Sequence, residues 1–281
     1  MQKFALLHDY LRERRLACHH NTFRPGRCRA PLLTLAHDPN YVARFMDGTQ
    51  SSQEQRRMGL PWSEALVRRS CISPSGTLLA AHLALEHGIA CHLAGGTHHA
   101  HYDFASGFCI FNDLAIAALA VLRYTAVERV LIFDVDVHQG DGTARILAHE
   151  PRAFTCSIHC EKNFPVRKAN SDLDINLPAG MSDTGYLSVV EHTFTKLLAE
   201  FKPQLVLYDA GVDVYANDPL GLLNVSEAAI AERDRCVLMM AREAGVPVAT
   251  VIGGGYDRDE RALARRHAHC IEQAAAIHKL V

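Results

Sequence analysis

From about Ser75 onward the chain alternates short apolar runs with longer stretches whose apolar residues recur at helical spacing. Residues 76–87 carry that spacing and stop at Gly88, a helix-ending glycine. Ile89 to Ala94 reads as a buried strand closed by Gly95-Gly96. Leu114 to Arg123 reads as a buried helix, and Arg129 to Val135 as a strand rich in β-branched residues. The strand pattern returns at Ala153–Ile158, Leu205–Tyr208 and Val246–Ile252. The helical pattern returns at Ser182–Phe201, from Ser226 to about Glu243, and from about Asp259 to His278. Strands alternating with helices predict a parallel sheet covered on both faces. Right-handed crossovers make it an open, doubly wound α/β fold. Residues 1–74 are less patterned: Phe4–Arg12 predicts a helix and Asn21–Pro31 a loop.

No repeat, low-complexity stretch or Pro/Gly/Ser-rich linker divides the sequence, so residues 1–281 are expected to form a single domain. The formal net charge of -2 gives no basic surface, which argues against direct nucleic-acid binding. The longest apolar run, Leu114–Leu122, is nine residues and too short to span a membrane. Lys3, His8, Asp9, Arg12 and Glu13 interrupt the N-terminal apolar residues, unlike a secretory signal. A cytoplasmic location is the expectation. The nine cysteines are scattered and form no Cys-x-x-Cys pair, so they are expected to be reduced and packed as small apolar residues. Cys156 and Cys160 flank His159, but their spacing along a strand and its exit argues against a metal site.

The polar residues that need explaining lie at strand ends. His98 and His99 follow one strand, and Asp134, Asp136, His138 and Asp141 end or follow the next. Ser157 and His159 close a third strand, Asp213 lies beyond a fourth, and Tyr256 follows Gly253-Gly254-Gly255 after a fifth. Ligands of open parallel sheets bind outside the carboxyl ends of the strands. Alternation along an extended chain puts Asp134, Asp136 and His138 on one face and Val135 and Val137 on the apolar one. Two carboxylates and an imidazole on one face call for a cation, and O/N donors suit zinc, iron or manganese. Asp213 is the natural third ligand, leaving a position open for water or substrate. Asp209 competes with it but reads better as a carboxylate supporting its loop. The pair His98-His99 suits general base and general acid, with Asp134 and Asp141 orienting the rings. The triple glycine lacks the spacing of a phosphate loop, and a phenol after it can donate to an oxyanion.

These stretches together resemble the histone deacetylase family, which includes acetylpolyamine amidohydrolases and acetoin-utilisation proteins. The matching segments are Gly95-Gly96-Thr97-His98-His99, Ala105–Cys109, Asp134–Gly142, Tyr208–Asp213 and Gly253–Tyr256, in family order. The resemblance implies an arginase/deacetylase-like fold and one zinc ion held by Asp136, His138 and Asp213. It implies His98 and His99 as the proton-transfer pair backed by Asp134 and Asp141, and Tyr256 polarising the scissile carbonyl. Gly107, Phe108, Phe164 and Gly254 would line the substrate tunnel. A structural potassium ion would be held by Asp134, Asp136, His138, Ser157 and Ile158. Gln139, where many members have a second histidine, resembles class IV deacetylases and their bacterial relatives. Met1-Gln2-Lys3-Phe4 resembles a point inside the family's first conserved segment, so the family's first strand and one tunnel wall are expected to be missing. The expected substrate is an acylated lysine in a protein or peptide, carrying an acetyl or a longer acyl group. An acylated polyamine or other small amide is the alternative, as is an acyl-lysine binding module without turnover. An arginase-like binuclear manganese hydrolase would need more bridging carboxylates than the sequence offers.

Overall fold

The computed structural model describes residues 2–278; Met1 and residues 279–281 lie outside them. Helices α1 (Lys3–Glu13), α2 (Ala30–Leu33), α3 (Pro39–Asp47), α4 (Ser52–Met58) and α5 (Glu64–His87) precede the first strand, β1 (Ile89–Cys91). Then come α6 (Asp113–Tyr124), β2 (Val130–Asp134), α7 (Asp141–Leu147), β3 (Ala153–Cys160), β4 (Leu173–Leu177) and α8 (Asp183–Glu200). The chain finishes with β5 (Leu205–Asp209), α9 (Glu227–Glu243), β6 (Val248–Val251) and α10 (Glu260–His278). The six strands pair in parallel in the order β1-β6-β5-β2-β3-β4.

Alternation along the central strands divides the core in two. Val130, Ile132, Leu205 and Leu207 face a cluster built with α3, α5 and α6. Leu131, Phe133, Val206 and Tyr208 face the opposite cluster, built with α8, α9 and α10. The doubly wound arrangement expected from the sequence is therefore present. Its winding also selects one crevice. After β2 the chain crosses by α7 to the first face, whereas after β5 it crosses by α9 to the second. Adjacent strands whose exits part in this way open a gap at their carboxyl ends, the usual ligand position of such sheets.

Several boundaries differ from the sequence reading, each for a local reason. α5 starts at Glu64, not near residue 76, and runs through Pro74. Ser63 caps it by accepting the Leu66 N–H, and buried Leu66, Val67, Cys71, Thr77, Ala80 and Ala84 offset the bond that proline removes. β1 stops at Cys91. β4 escaped detection because it is a half-buried edge strand of only five residues. α7 escaped because Gly140 and Gly142 bracket its first residue.

One buried ion pair braces the crevice. Arg233 on α9 donates to Asp234 Oδ1 at 2.9 Å, to Tyr186 Oη at 3.1 Å and to the Gly211 carbonyl at 2.7 Å. Tyr208 on β5 donates to Asp234 at 2.6 Å. The guanidinium thus ties α9 and α8 to the backbone that follows β5. Arg233→Leu is expected to cost about 3–5 kcal/mol of unfolding free energy, because it leaves the Asp234 carboxylate buried without its cation. Urea unfolding checks this, and near-native stability would show that the pair braces nothing.

Candidate active site

The loops leaving β2 and β5 supply the centre of the crevice. β2 ends at Asp134, and the next turns are held by side chains: Asp136 N–H donates to Asp134 Oδ1 at 3.1 Å, and His138 N–H to Asp136 Oδ1 at 2.9 Å. Val135 and Val137 are buried in the core beyond Phe133, as alternation predicts. Asp136, His138 and Asp213 offer ligand atoms that all lie within 4.8 Å of one another. His138 Nδ1 is 3.1 Å from both Asp136 Oδ1 and Asp213 Oδ2. One ring nitrogen has at most one proton for two carboxylates. Burial and the Asp136 charge push Asp213 up to about 7, while the two carboxylates overcome burial and raise His138 to about 10. Both shifts mark a site short of positive charge.

The surroundings leave room for a cation. A Cβ on Gly254 would sit 2.2 Å from Asp213 Oδ2, and one on Gly211 would sit 2.5 Å from Asp136 Oδ2. Gly254 instead presents its N–H to Asp136 Oδ2 at 2.7 Å. The donor set and its cradle fit a divalent metal with two carboxylates and one imidazole. Among the described residues no other cluster of this kind includes Asp136 or a cysteine, so Cys156 and Cys160 form no ligand group with His159. All nine cysteines are free.

His98 and His99 lie on the loop after β1. His98 Nδ1 is 2.7 Å from Asp134 Oδ2, His99 Nδ1 is 2.8 Å from Asp141 Oδ1, and the two Nε2 atoms are 3.2 Å apart. Burial works against charging either ring. The carboxylates of Asp134 and Asp136 nevertheless hold His98 well above the usual imidazole range, whereas burial and the neighbouring His98 push His99 down to about 4. The two rings thus face each other with opposite shifts, His98 raised and His99 lowered. Tyr256 is partly exposed, and its N–H donates to Asp218 Oδ2 at 2.7 Å. Burial, with Cys109, Asp136 and Asp213 nearby, pushes its phenol up to about 12, so the hydroxyl remains a donor at neutral pH. Gly107 packs flat on His99, where a Cβ would come within 2.5 Å of the ring. Phe164 meets the His99 ring edge to face at 4.8 Å, and the partly exposed Phe108 ring lies against Gly59. Ser157 sits beside Asp134 in the β2–β3 register, and Ile158 follows it, fully buried.

Asp209 does not act as the loop-supporting carboxylate read from the sequence. Its side chain is fully buried against Gly96 and Gly253, and neither oxygen makes a hydrogen bond. It faces His98 Nδ1 at 3.8 Å instead. Other residues of the site were missed. Asp113 accepts the N–H groups of Gly96 and Thr97 and so shapes the histidine loop. Asn163 donates to the Leu220 carbonyl at 2.6 Å and lies 3.4 Å from His138 Nε2. Lys3 reaches the Gly255 carbonyl at 3.4 Å. His101 contacts Asp141 Oδ2 at 3.1 Å. Only Asn112-Asp113, a polar pair opening an apolar helix, carried a visible capping signal. Gln139 turns away from the centre and bonds Ala169 and Asp174.

A frame behind the histidines depends on a neutral imidazole. His37 Nδ1 donates to the His101 carbonyl at 2.9 Å, and its Nε2 accepts the Asn112 N–H at 2.8 Å. The Asn112 amide in turn donates to the carbonyls of His98 and Ala100. Burial lowers His37 from 6.5 to about 4. A depressed folded value adds stability that is complete above the unfolded pKa and lost as pH falls from 6.5 toward 4. The loss is about 3 kcal/mol, at about 1.4 kcal/mol per unit. Measured by denaturation across that range, wild type is expected to lose more stability than His37→Gln, and parallel losses would refute the linkage.

Comparison with known proteins places these features in context. The chain matches the family model described as a histone deacetylase domain over residues 1–274. It is 48% identical over 268 residues to an uncharacterized protein of Picosynechococcus, covering 95% of this chain and 89% of that one. Histone deacetylase clr6 of Schizosaccharomyces pombe is 33% identical over 259 residues, covering 84% of this chain and 62% of its own length. Histone deacetylase 2 of Arabidopsis thaliana is 33% identical over 199 residues, covering 68% and 51%. The chain thus spans about half to two thirds of these curated deacetylases. The crystal structure of an HDAC homolog complexed with SAHA shares the fold, with a TM-score of 0.80 at 24% identity over 96% of this chain and 77% of that one.

Proposed function

Since the chain belongs to the histone deacetylase domain family, we propose that it is a zinc-dependent amidohydrolase that removes acetyl or longer acyl groups from lysine side chains. The observation that carries this reading is the pairing of His98 and His99. Each Nδ1 is held by a carboxylate, so the two Nε2 atoms converge 3.2 Å apart beside a cluster of three metal-ligand side chains.

Asp136, His138 and Asp213 would hold one zinc ion. When bound, the metal supplies Lewis-acid polarisation of the amide carbonyl and makes a water molecule easier to deprotonate. The rest of the chemistry belongs to the chain. Asp141 fixes the Nδ1 proton of His99, leaving its Nε2 lone pair to take a proton from the attacking water. His98, kept cationic by Asp134, faces that nitrogen and stabilises negative charge or returns a proton to the leaving amine. The Tyr256 hydroxyl, still protonated at neutral pH, donates to the carbonyl oxygen as charge develops on it. Phe108, Phe164 and Gly107 would wall a narrow apolar slot for the lysine methylenes, and Gly254 keeps the floor free of a side chain. A homolog of the same fold was solved with SAHA bound, which favours a substrate entering such a slot.

The reading includes a structural potassium ion held by Asp134, Asp136, His138, Ser157 and Ile158. The side-by-side register of Asp134 and Ser157 supports it. It includes one catalytic domain over residues 1–281 and a cytoplasmic location. No helix among the described residues is long and apolar enough to cross a membrane, and the net charge of -2 favours no nucleic-acid partner.

Zinc-loaded protein is expected to hydrolyse acyl-lysine peptides, tested from acetyl to long-chain, with Asp213→Ala losing both the bound metal and the activity. Chelator-resistant turnover, or turnover retained in that variant, would overturn the reading. Tyr256→Phe is expected to lower kcat about 10²–10³-fold if the hydroxyl meets the oxyanion. Unchanged kcat would remove that role.

A further inference from the structure

Asp141 has two carboxylate oxygens, and each meets a different histidine. Oδ1 accepts from His99 Nδ1 at 2.8 Å, and Oδ2 from His101 Nε2 at 3.1 Å. A carboxylate held at one oxygen can still swing about its Cβ–Cγ bond, whereas one held at both has its plane fixed. Resting on the deacylase reading above, we propose that His101 is a positioning residue: it clamps Asp141 from the side away from His99 and so aims the His99 Nε2 lone pair into the site.

His101 is itself held on every side. Its ring is buried and stacks on Phe104 at 4.2 Å with 22° between the planes. The Arg57 guanidinium covers the Phe104 ring at 4.4 Å, a cation–π contact reaching in from α4. The His101 N–H donates to the Phe104 carbonyl at 3.0 Å, and its own carbonyl accepts from His37 Nδ1 at 2.9 Å. The stack fixes the plane of the ring, and within it Nε2 meets Asp141 Oδ2. A histidine present only to fill space would need the stack but not the Nε2–H. The two roles therefore separate chemically. Phenylalanine keeps a ring on Phe104 and removes the donor, whereas glutamine gives up the ring and puts an amide donor near the same place.

The test uses the full-length, metal-loaded protein labelled with ¹⁵N-histidine, reading the Nδ1–H resonance of His99, assigned by its loss in His99→Gln. That resonance is expected to be sharp in wild type and in His101→Gln, and lost or exchange-broadened in His101→Phe at an unchanged melting temperature. On acyl-lysine peptides, His101→Phe is expected to lower kcat about 10–100-fold with KM unchanged, and His101→Gln to recover most of it. A sharp resonance and full kcat in His101→Phe would overturn the proposal. So would equal loss in both variants together with a lowered melting temperature, which marks packing alone. Should His101→Phe not fold, His101→Met, which keeps an apolar side chain against Phe104 and removes the donor, takes its place; broadening there supports the clamp, and an unchanged resonance overturns it. If wild type hydrolyses no acyl-lysine peptide, the deacylase reading fails, and the resonance by itself still decides whether His101 positions His99.

Discussion

Two buried carboxylates, Asp136 and Asp213, share one imidazole nitrogen at the carboxyl edge of the sheet, and the rest of the structure answers to that concentration of charge. A carboxylate taken out of water costs several kcal/mol unless it is paired and its remaining lone pairs are used. The chain uses them. His138 N–H and Gly254 N–H serve Asp136, and Val137 N–H serves Asp213. What remains, two oxygens facing His138 Nδ1, cannot be satisfied by one proton, and a divalent cation resolves it in one step. The glycines at 211 and 254 follow from the same constraint, because any side chain there would fill the space the charge needs.

Bringing such groups together requires backbone that is held from behind. Topology does the first part: β2 and β5 are neighbours whose exits go to opposite faces, so Asp136 and Asp213 meet across the gap. Bracing does the second. Arg233 holds the Gly211 carbonyl from one face, and Asp113 and Asn112 hold the histidine loop from the other. Asp218 gathers the N–H groups of Leu220, Gly221 and Tyr256, fixing the loop that carries the phenol. Each brace is a buried polar group with satisfied partners, the condition under which such networks rigidify a site.

The sequence disclosed the ends of strands better than the supports behind them. β2 and β5 were legible because each is a continuous buried run, and β3 because it is buried but for Phe154; the residues closing them were conspicuous as polar groups after apolar ones. That was enough to bring His98, His99, Asp136, His138, Asp213 and Tyr256 to one edge. His101 and Asn163 lie in loops without periodicity, and nothing local distinguishes them from solvent-exposed polar residues; only tertiary contact gives them their partners. Lys3 is a similar case, since a cation in the first turn of an amphipathic helix ordinarily faces water. The first 74 residues resisted reading because α2, α3 and α4 are short: α3 and α4 start at the Asp38 and Ser51 caps, and α2 is a single turn with no side-chain cap.

Asp209 completes the electrostatic logic. It is the register partner of Asp134 across β5 and β2, and both share the parity of Ile132 and Leu207, so both carboxylates point to the same side. His98 Nδ1 lies between them but closer to Asp134, 2.7 Å against 3.8 Å. Only one of the two can stay ionised beside that nitrogen at low cost, and burial together with the Asp134 charge pushes Asp209 well above the usual carboxylate range. In the Asp136–Asp213 pair the residue from the β5 exit is likewise pushed up, by burial and the Asp136 charge. At both levels the β5 side contributes a raised carboxylate; on the β2 side Asp136 is held low, while burial raises Asp134 against the opposing charge and hydrogen bond of His98. Asp134 and Asp136 together hold His98 above the usual imidazole range, while burial and the His98 charge push down His99, whose Nε2 faces that of His98 at 3.2 Å.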